Sequence, residues 1–270
     1  MITSHTNQKV KRLLNLMKKK KAREEEKVFL VEGIRMFREM PKDKILEAYV
    51  SESFYKKEKN VVDEVLAGSR AKLEIMADSV YERVSDTKTP QGVMGVVKQP
   101  EYHFEKIVGE AADTGREVAE PHLVILENLQ DPGNLGTIFR TAEAAGVTGI
   151  LLSKDSVDIY NPKVIRSTMG AIFRMPFVYV EDIHQAIKAV KAAGIRTYAA
   201  HLEDSVDYDV PDYKLATAFL IGNEGNGLTR ETADLCDQYI KIPMAGKVES
   251  LNAAIAATIL MYEASRQRRH

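Results

Sequence analysis

The chain has 270 residues, of which 44% are hydrophobic and 29% charged, the proportions of an ordinary globular protein of one or two domains rather than a disordered or fibrous one. Its formal charge of -1 does not advertise a nucleic-acid partner, although the distribution of charge decides that matter more than its sum. The single cysteine, Cys236, can form no internal disulfide; no apolar segment follows the basic N-terminus and no apolar run approaches the ~20 residues that cross a bilayer, so the expectation is a cytoplasmic protein without a membrane partner.

From Lys9 to Arg23 the chain carries Lys9, Lys11, Arg12, Lys18, Lys19, Lys20, Lys21 and Arg23 with no acid among them, and Leu13, Leu14, Leu16 and Met17 form one apolar stripe. This pattern predicts an amphipathic helix with a basic outer face, which taken alone is as well read as a solvated surface. Apolar segments Val28-Phe29-Leu30-Val31, Ala48-Tyr49-Val50, Leu73-Glu74-Ile75-Met76 and Val93-Met94-Gly95-Val96-Val97 follow, with helical stretches from Ile34 and near Val61 to Leu66. The alternation predicts a small α/β domain with helices on both faces of its sheet. Gly33 and Gly92 read equally as turn formers and as parts of a binding loop.

Gln99 to Pro121 has scattered apolar residues and a proline near each end, the composition of an interdomain linker. The next strand is His122 to Leu126, followed by a helix from Gly136 to Ala145 and a strand at Gly149-Ile150-Leu151-Leu152. A helix through Lys163 to Met169, a strand at Phe177-Val178-Tyr179, a helix from Ile183 to Ala192 and a strand at Arg196 to Ala200 complete the alternation. Nearly continuous apolar strands joined by crossover helices predict a parallel sheet covered on both faces.

The last third carries two loops of unusual composition. Ala216-Thr217-Ala218-Phe219-Leu220-Ile221 breaks into Gly222-Asn223-Glu224-Gly225-Asn226-Gly227-Leu228, and Tyr239-Ile240-Lys241-Ile242-Pro243-Met244 runs through Ser250-Leu251-Asn252 into an alanine-rich helix. Two strands thus end in polar, glycine-rich loops, which is where an open α/β sheet binds ligands. The spacing Gly222, Gly225, Gly227 reverses the dinucleotide fingerprint and argues against a nicotinamide cofactor. Ser250 is a good N-cap for the final helix. The sequence shows no metal-ligand cluster of His, Cys or acids, so no metal is expected.

Gly222-Asn223-Glu224-Gly225 resembles the second motif, and Ile242-Pro243-Met244 with Ser250-Leu251-Asn252 the third, of the SpoU (TrmH) family of RNA ribose 2'-O-methyltransferases in the SPOUT superfamily. Asn128-Leu129-Gln130-Asp131-Pro132-Gly133-Asn134-Leu135-Gly136-Thr137-Ile138-Phe139-Arg140-Thr141-Ala142 resembles the first. Val31-Glu32-Gly33 and Thr89-Pro90-Gln91-Gly92 are similar to the RNA substrate-binding domain that precedes the catalytic one in this family, itself similar to small ribosomal proteins. The resemblance implies a substrate-binding domain over 1–98, a linker over 99–120 and a trefoil-knotted methyltransferase domain over 121–270.

It further implies S-adenosylmethionine as cofactor, held by Leu220, Gly222, Ile242, Met244, Ser250 and Leu251, and a homodimer packed through the knotted region and the last helix. Arg140, placed about one turn into its helix, is the residue assigned to the 2'-hydroxyl, as alkoxide stabiliser or as phosphate clamp. Asn134 orients the ribose or the arginine, Asn252 holds the ribose, and Glu224 accepts from a ligand hydroxyl or caps the following helix. Beside an RNA enzyme, the N-terminal cations Lys9, Arg12 and Lys18 to Lys21, with Arg140, become phosphate contacts. Ribosomal RNA is the expected substrate, with transfer RNA, a non-catalytic RNA-binding protein and a small-molecule α/β enzyme as the alternatives.

Overall fold

In the computed structural model, which describes residues 1–109, 120–202 and 204–269, the chain divides into two units. One comprises Met1–Pro100 with Asp158–Phe173, the other Glu101–Val157 with Arg174–His270. Residues 110–119 of the expected linker lie outside the described residues, and Phe104–Gly109 within it is a helix.

The first unit is built on a four-stranded sheet of order β1-β4-β2-β3, formed by β1 (Val28–Glu32), β2 (Ile45–Ser51), β3 (Lys72–Met76) and β4 (Val93–Lys98). β4 runs antiparallel to both β1 and β2, and β3 is parallel to β2. Every residue of β1 is buried because both faces are covered. Val28 and Leu30 join a core with Val10, Leu13 and Leu16 of helix α1 (Gln8–Lys18), while the Phe29 ring packs within 5.0 Å of Tyr160 and 6.1 Å of Phe173. These last two belong to the segment Asp158–Phe173, which therefore folds with the front unit although it lies between strands of the other sheet.

The basic stretch is two helices rather than one. α1 ends at Lys18, Lys19 is extended, and α2 (Lys20–Glu26) begins after it. Arg23 explains the break: it is 4% exposed and donates to the Leu16 carbonyl at 2.6 Å, the Met17 carbonyl at 3.3 Å and the Asp158 carboxylate at 2.6 Å. A guanidinium can satisfy the final carbonyls of a helix only if the chain turns back over them. Arg23 is thus an internal clamp and not part of a basic outer face; removing one member of such a buried pair typically costs about 3–5 kcal/mol. Helices α3 (Ile34–Glu39), α4 (Glu52–Leu66) and α5 (Asp78–Val84) complete this unit with α8 (Pro162–Thr168).

The second unit holds a seven-stranded parallel sheet of order β7-β6-β5-β10-β8-β11-β9. Its strands are β5 (His122–Leu126), β6 (Gly149–Ser153), β7 (Phe177–Val180), β8 (Arg196–Ala200), β9 (Val206–Asp207), β10 (Thr217–Ile221) and β11 (Gln238–Lys241). From β5 the chain moves outward through β6 and β7, then crosses to the other side for β8, so the switch point lies between β5 and β10. Helices α6 (Phe104–Gly109), α7 (Pro132–Ala145), α9 (Ile183–Ala192), α10 (Arg230–Ala233) and α11 (Ala253–Arg268) accompany it. α11 packs on α7 and β10 through Ala253, Ala254, Ala257, Leu260, Met261 and Ala264. Burying Leu260 and Met261 contributes ~1.5–3 kcal/mol each, and small alanines between them let the two helices approach closely.

Two boundaries differ from expectation in ways that shape the site. α7 begins at Pro132, four residues before Gly136, because Asp131 caps it by accepting from the Asn134 N–H at 2.8 Å and Pro132 fits the first helical position. β11 ends at Lys241 instead of continuing to Met244, since Pro243 has no N–H to offer a ladder. Ile242 and Met244 therefore belong to a loop.

Candidate functional site

The three motif loops meet at the carboxyl ends of β5, β10 and β11. Glu224, in the loop after β10, accepts from the Gln130 N–H at 3.0 Å, the Asp131 N–H at 2.8 Å and the Asn134 Nδ2 at 3.0 Å. Asn134 Oδ1 in turn accepts from Asn252 Nδ2 at 2.9 Å. Asn252 Oδ1 accepts from the N–H groups of Ala254 and Ile255 at 2.9 and 3.3 Å, which makes Asn252 and not Ser250 the N-cap of α11.

This chain of bonds runs in one direction. A carboxylate only accepts and a helix N-terminus only donates, so both asparagine amides are oriented by the groups at the two ends. Partial burial pushes the Glu224 carboxyl up, but the hydrogen bonds from Gln130, Asn134 and Asp131 outweigh it and hold the group below its ordinary value. Glu224 does not cap the following helix, whose N-cap is Thr229; it binds the N-terminal end of the preceding α7. The Gly222–Leu228 loop folds back toward β5, as Asn223 Nδ2 donating to the Asn128 carbonyl at 2.8 Å shows.

Beside this loop lies a cavity of about 540 Å³, in the range that encloses a small ligand. Gly222, Ile242, Met244, Ser250 and Leu251 line it, all five anticipated from the motifs. Leu220 does not: successive strand residues face opposite sides, and Leu220 packs into the core with Ile125 and Leu151 while Ile221 lines the cavity.

The glycines serve the loop itself. A Cβ on Gly222 would lie 2.0 Å from the Gly227 carbonyl carbon, because Asn223 and Gly227 exchange N–H···O bonds of 3.0 and 2.9 Å. Of the three, only Gly227 takes positive φ, at 68°.

The cavity walls suit an adenosine with an aliphatic sulfonium tail. Ile221, Ile242, Leu251 and Leu260 offer apolar contact, and the main chain of residues 243–251 makes no hydrogen bond to any described residue. Most of this segment is exposed, so its main-chain groups are open to solvent or to a ligand. Among the described residues no group of three or more His, Cys, Asp or Glu is placed to hold a metal ion, and no helix is long and apolar enough to cross a membrane.

Arg140 is the ninth residue of α7, more than two turns in, since the helix starts earlier than expected. Its side chain is exposed and makes no hydrogen bond or ion pair with a described residue. The N-terminal cations divide. Lys9 pairs with Glu74, and Arg12 with Glu26 at 2.7 Å and Glu47 at 2.8 Å, so these two are committed to the front unit. Lys20 and Lys21 make long i,i+4 pairs, 3.6 Å to Glu24 and 3.8 Å to Glu25, worth about 0.3–0.5 kcal/mol each. Lys18 and Lys19 are exposed with no ion pair to a described residue.

Sequence reasoning missed Ile221, Leu228, His201 and Arg230 in the cavity wall. His201 directly follows β8, a strand end beside the switch point, which was the available signal. In the front unit it also missed Arg35, Arg38 and Lys88, exposed cations with no ion pair to a described residue.

A parallel sheet whose loops are tied together at the switch point, next to a cavity walled by apolar side chains and unpaired main chain, defines an α/β enzyme with a nucleoside-like cofactor. Residues 121–262 match the SpoU rRNA methylase family and residues 7–95 the MRM3-like substrate-binding domain. The chain belongs to the SpoU rRNA methylase family. It is 32% identical over 97% of both chains to the 23S rRNA (guanosine(2553)-2'-O)-methyltransferase RlmP of Bacillus subtilis. Among solved structures, the AdoMet-bound rRNA methyltransferase of Sinorhizobium meliloti superposes with a TM-score of 0.84 at 32% identity, covering 98% of this chain and 97% of that one. The SpoU methyltransferase AviRb of Streptomyces viridochromogenes, in complex with AdoMet, gives 0.84 at 29% identity over 97% and 98%.

Proposed function

We infer that this protein transfers a methyl group from S-adenosylmethionine to a ribose 2'-hydroxyl in structured ribosomal RNA. The observation that carries the reading is the Glu224–Asn134–Asn252 chain, which ties the three motif loops together at the carboxyl ends of their strands. Once bound, the cofactor supplies an electrophilic methyl on a sulfonium, and the protein's task is to hold the 2'-oxygen in line with it.

A neutral hydroxyl is a poor nucleophile, so charge developing on that oxygen has to be stabilised. Arg140 suits this role: its guanidinium pairs with no described residue, and its planar cation offers hydrogen-bond donors to a developing oxyanion. We assign Asn134 and Asn252 to orienting the ribose and Glu224 to fixing the loop that carries Asn134. Ile242, Met244, Ser250, Leu251 and Gly222 hold the cofactor, and Lys18 to Lys21 contact RNA phosphates.

The finer features of this reading are a cytoplasmic location, a metal-free site, a homodimer and the threaded trefoil path. Return of the chain from β11 to pack α11 on α7 supports the threaded path. Ile255 and Tyr262, 49% and 43% exposed on α11, support a two-fold interface, the commonest closed symmetry. Incubating the protein with methyl-labelled cofactor and ribosomal RNA in excess chelator tests the proposal. Label recovered in alkali-resistant dinucleotides supports ribose methylation, whereas label on a base, or activity only with a divalent ion, counts against it.

A further inference from the structure

Directly beneath the glycine loop lies a buried carboxylate that the reaction does not use. Glu127 follows β5 and is 5% exposed, yet no cation among the described residues pairs with it. Its oxygens accept from the Thr229 N–H at 2.8 Å, the Thr229 hydroxyl at 2.9 Å and the Thr232 hydroxyl. A buried charge neutralised only by neutral donors is a costly way to join a strand to a loop. What a carboxylate adds over an amide is that it can only accept, so every donor around it has one direction.

Those directions converge on the cavity wall. The Glu127 N–H donates to the Ile221 carbonyl at 2.9 Å, at the residue entering the Gly222–Leu228 loop. Its side chain holds Thr229, the residue leaving that loop. Gly222 and Leu228, the first and last residues between these anchors, both line the cavity. Thr232, fully buried, gives its proton to Glu127 and must accept from His184 Nε2 at 3.0 Å, which extends the clamp to α9.

We propose that Glu127 is a positioning residue for cofactor binding: it clamps both ends of the glycine loop, through its main chain at the entrance and through Thr229 and Thr232 at the exit. The proposal rests on the methyltransferase reading above. It assigns no step of the chemistry to Glu127; the carboxylate sets the shape of the wall that the cofactor meets.

The test is a double-mutant cycle on S-adenosylmethionine affinity, measured by calorimetry, with RNA affinity measured in parallel. Glu127→Gln keeps the shape but puts a donor where two hydroxyls already donate, and Thr232→Val removes one of those hydroxyls at constant volume. The expected result is cofactor binding weaker by roughly tenfold for Glu127→Gln, with RNA affinity within about twofold of the parent. The doubly substituted protein should bind no more weakly than Glu127→Gln alone, because both changes break one connection. Unchanged cofactor affinity, fully additive losses, or a parallel loss of RNA affinity would overturn the proposal; if Glu127→Gln does not fold, parental cofactor affinity in Thr232→Val overturns it equally. Failure of the unsubstituted protein to bind the cofactor would instead overturn the methyltransferase reading beneath it.

Discussion

Asn252 performs two tasks with one amide, and Asn252→Asp separates them. Its Oδ1 caps α11 and its Nδ2 donates to Asn134. An aspartate keeps the acceptor for the cap and places a negative charge at the N-terminus of a 16-residue helix, favourable by about 0.3–1 kcal/mol. The same change sets an acceptor against Asn134 Oδ1. Asn134 cannot relieve this by turning its amide over, because its oxygen would then face Glu224, which holds the other end. Losing the bond and opposing two acceptors costs ~1–3 kcal/mol, concentrated where the first and third motif loops meet. Asn252→Ala, by contrast, loses the cap, worth about 1 kcal/mol, or roughly 2–4 °C in melting temperature for a domain of this size. Thermal unfolding followed by circular dichroism should therefore place both variants below the parent, Asn252→Ala through the lost cap and Asn252→Asp through the opposed acceptors with its cap kept. Single-turnover methyl transfer should fall by roughly 10-fold or more in both. An Asn252→Asp protein with the parental rate would show that the hydrogen-bond chain does not align the site.

Arg140→Ala should leave cofactor affinity nearly unchanged and lower the single-turnover rate by roughly 10²-fold; full recovery at saturating RNA would make Arg140 a phosphate anchor only. Replacing Lys18 and Lys19 with alanine should weaken RNA binding and flatten its salt dependence by about one unit of slope per lost contact. The same change at Lys9 and Arg12 should act mainly on stability, since those side chains are held by Glu74, Glu26 and Glu47. Burial, helped by Arg268, pulls His122 down to about 3. The unfolded chain therefore takes up a proton below about pH 6.5 that the folded one refuses, and stability falls with acidity from there by about 1.4 kcal/mol per pH unit. Urea unfolding at pH 7 and 5 should show that loss, and His122→Leu should reduce it.

Strand positions were readable from the sequence because apolar runs such as Phe219-Leu220-Ile221 are buried on both faces whatever surrounds them. Helix starts were less so. The helix expected from Gly136 begins four residues earlier, at Pro132, because Asp131 and Pro132 start α7 early. The motif residues lining the cavity were found by resemblance, and the one that failed, Leu220, failed on strand alternation, which motif matching does not see. The contact of Glu224 with α7 was not legible because its partners, Gln130 and Asp131, are some ninety residues away in sequence, and local spacing carries no trace of such a contact. Arg23 shows the same limit: within a basic run nothing marks the one cation that turns inward to close two helices.

Ribose methylation of ribosomal RNA is tested by mapping 2'-O-methyl groups across total RNA from cells with and without the gene. One ribosomal ribose should be methylated in the parent, unmethylated in the deletion and remethylated by the purified protein with S-adenosylmethionine. An unchanged ribosomal map, or a lost methyl confined to transfer RNA, would contradict it.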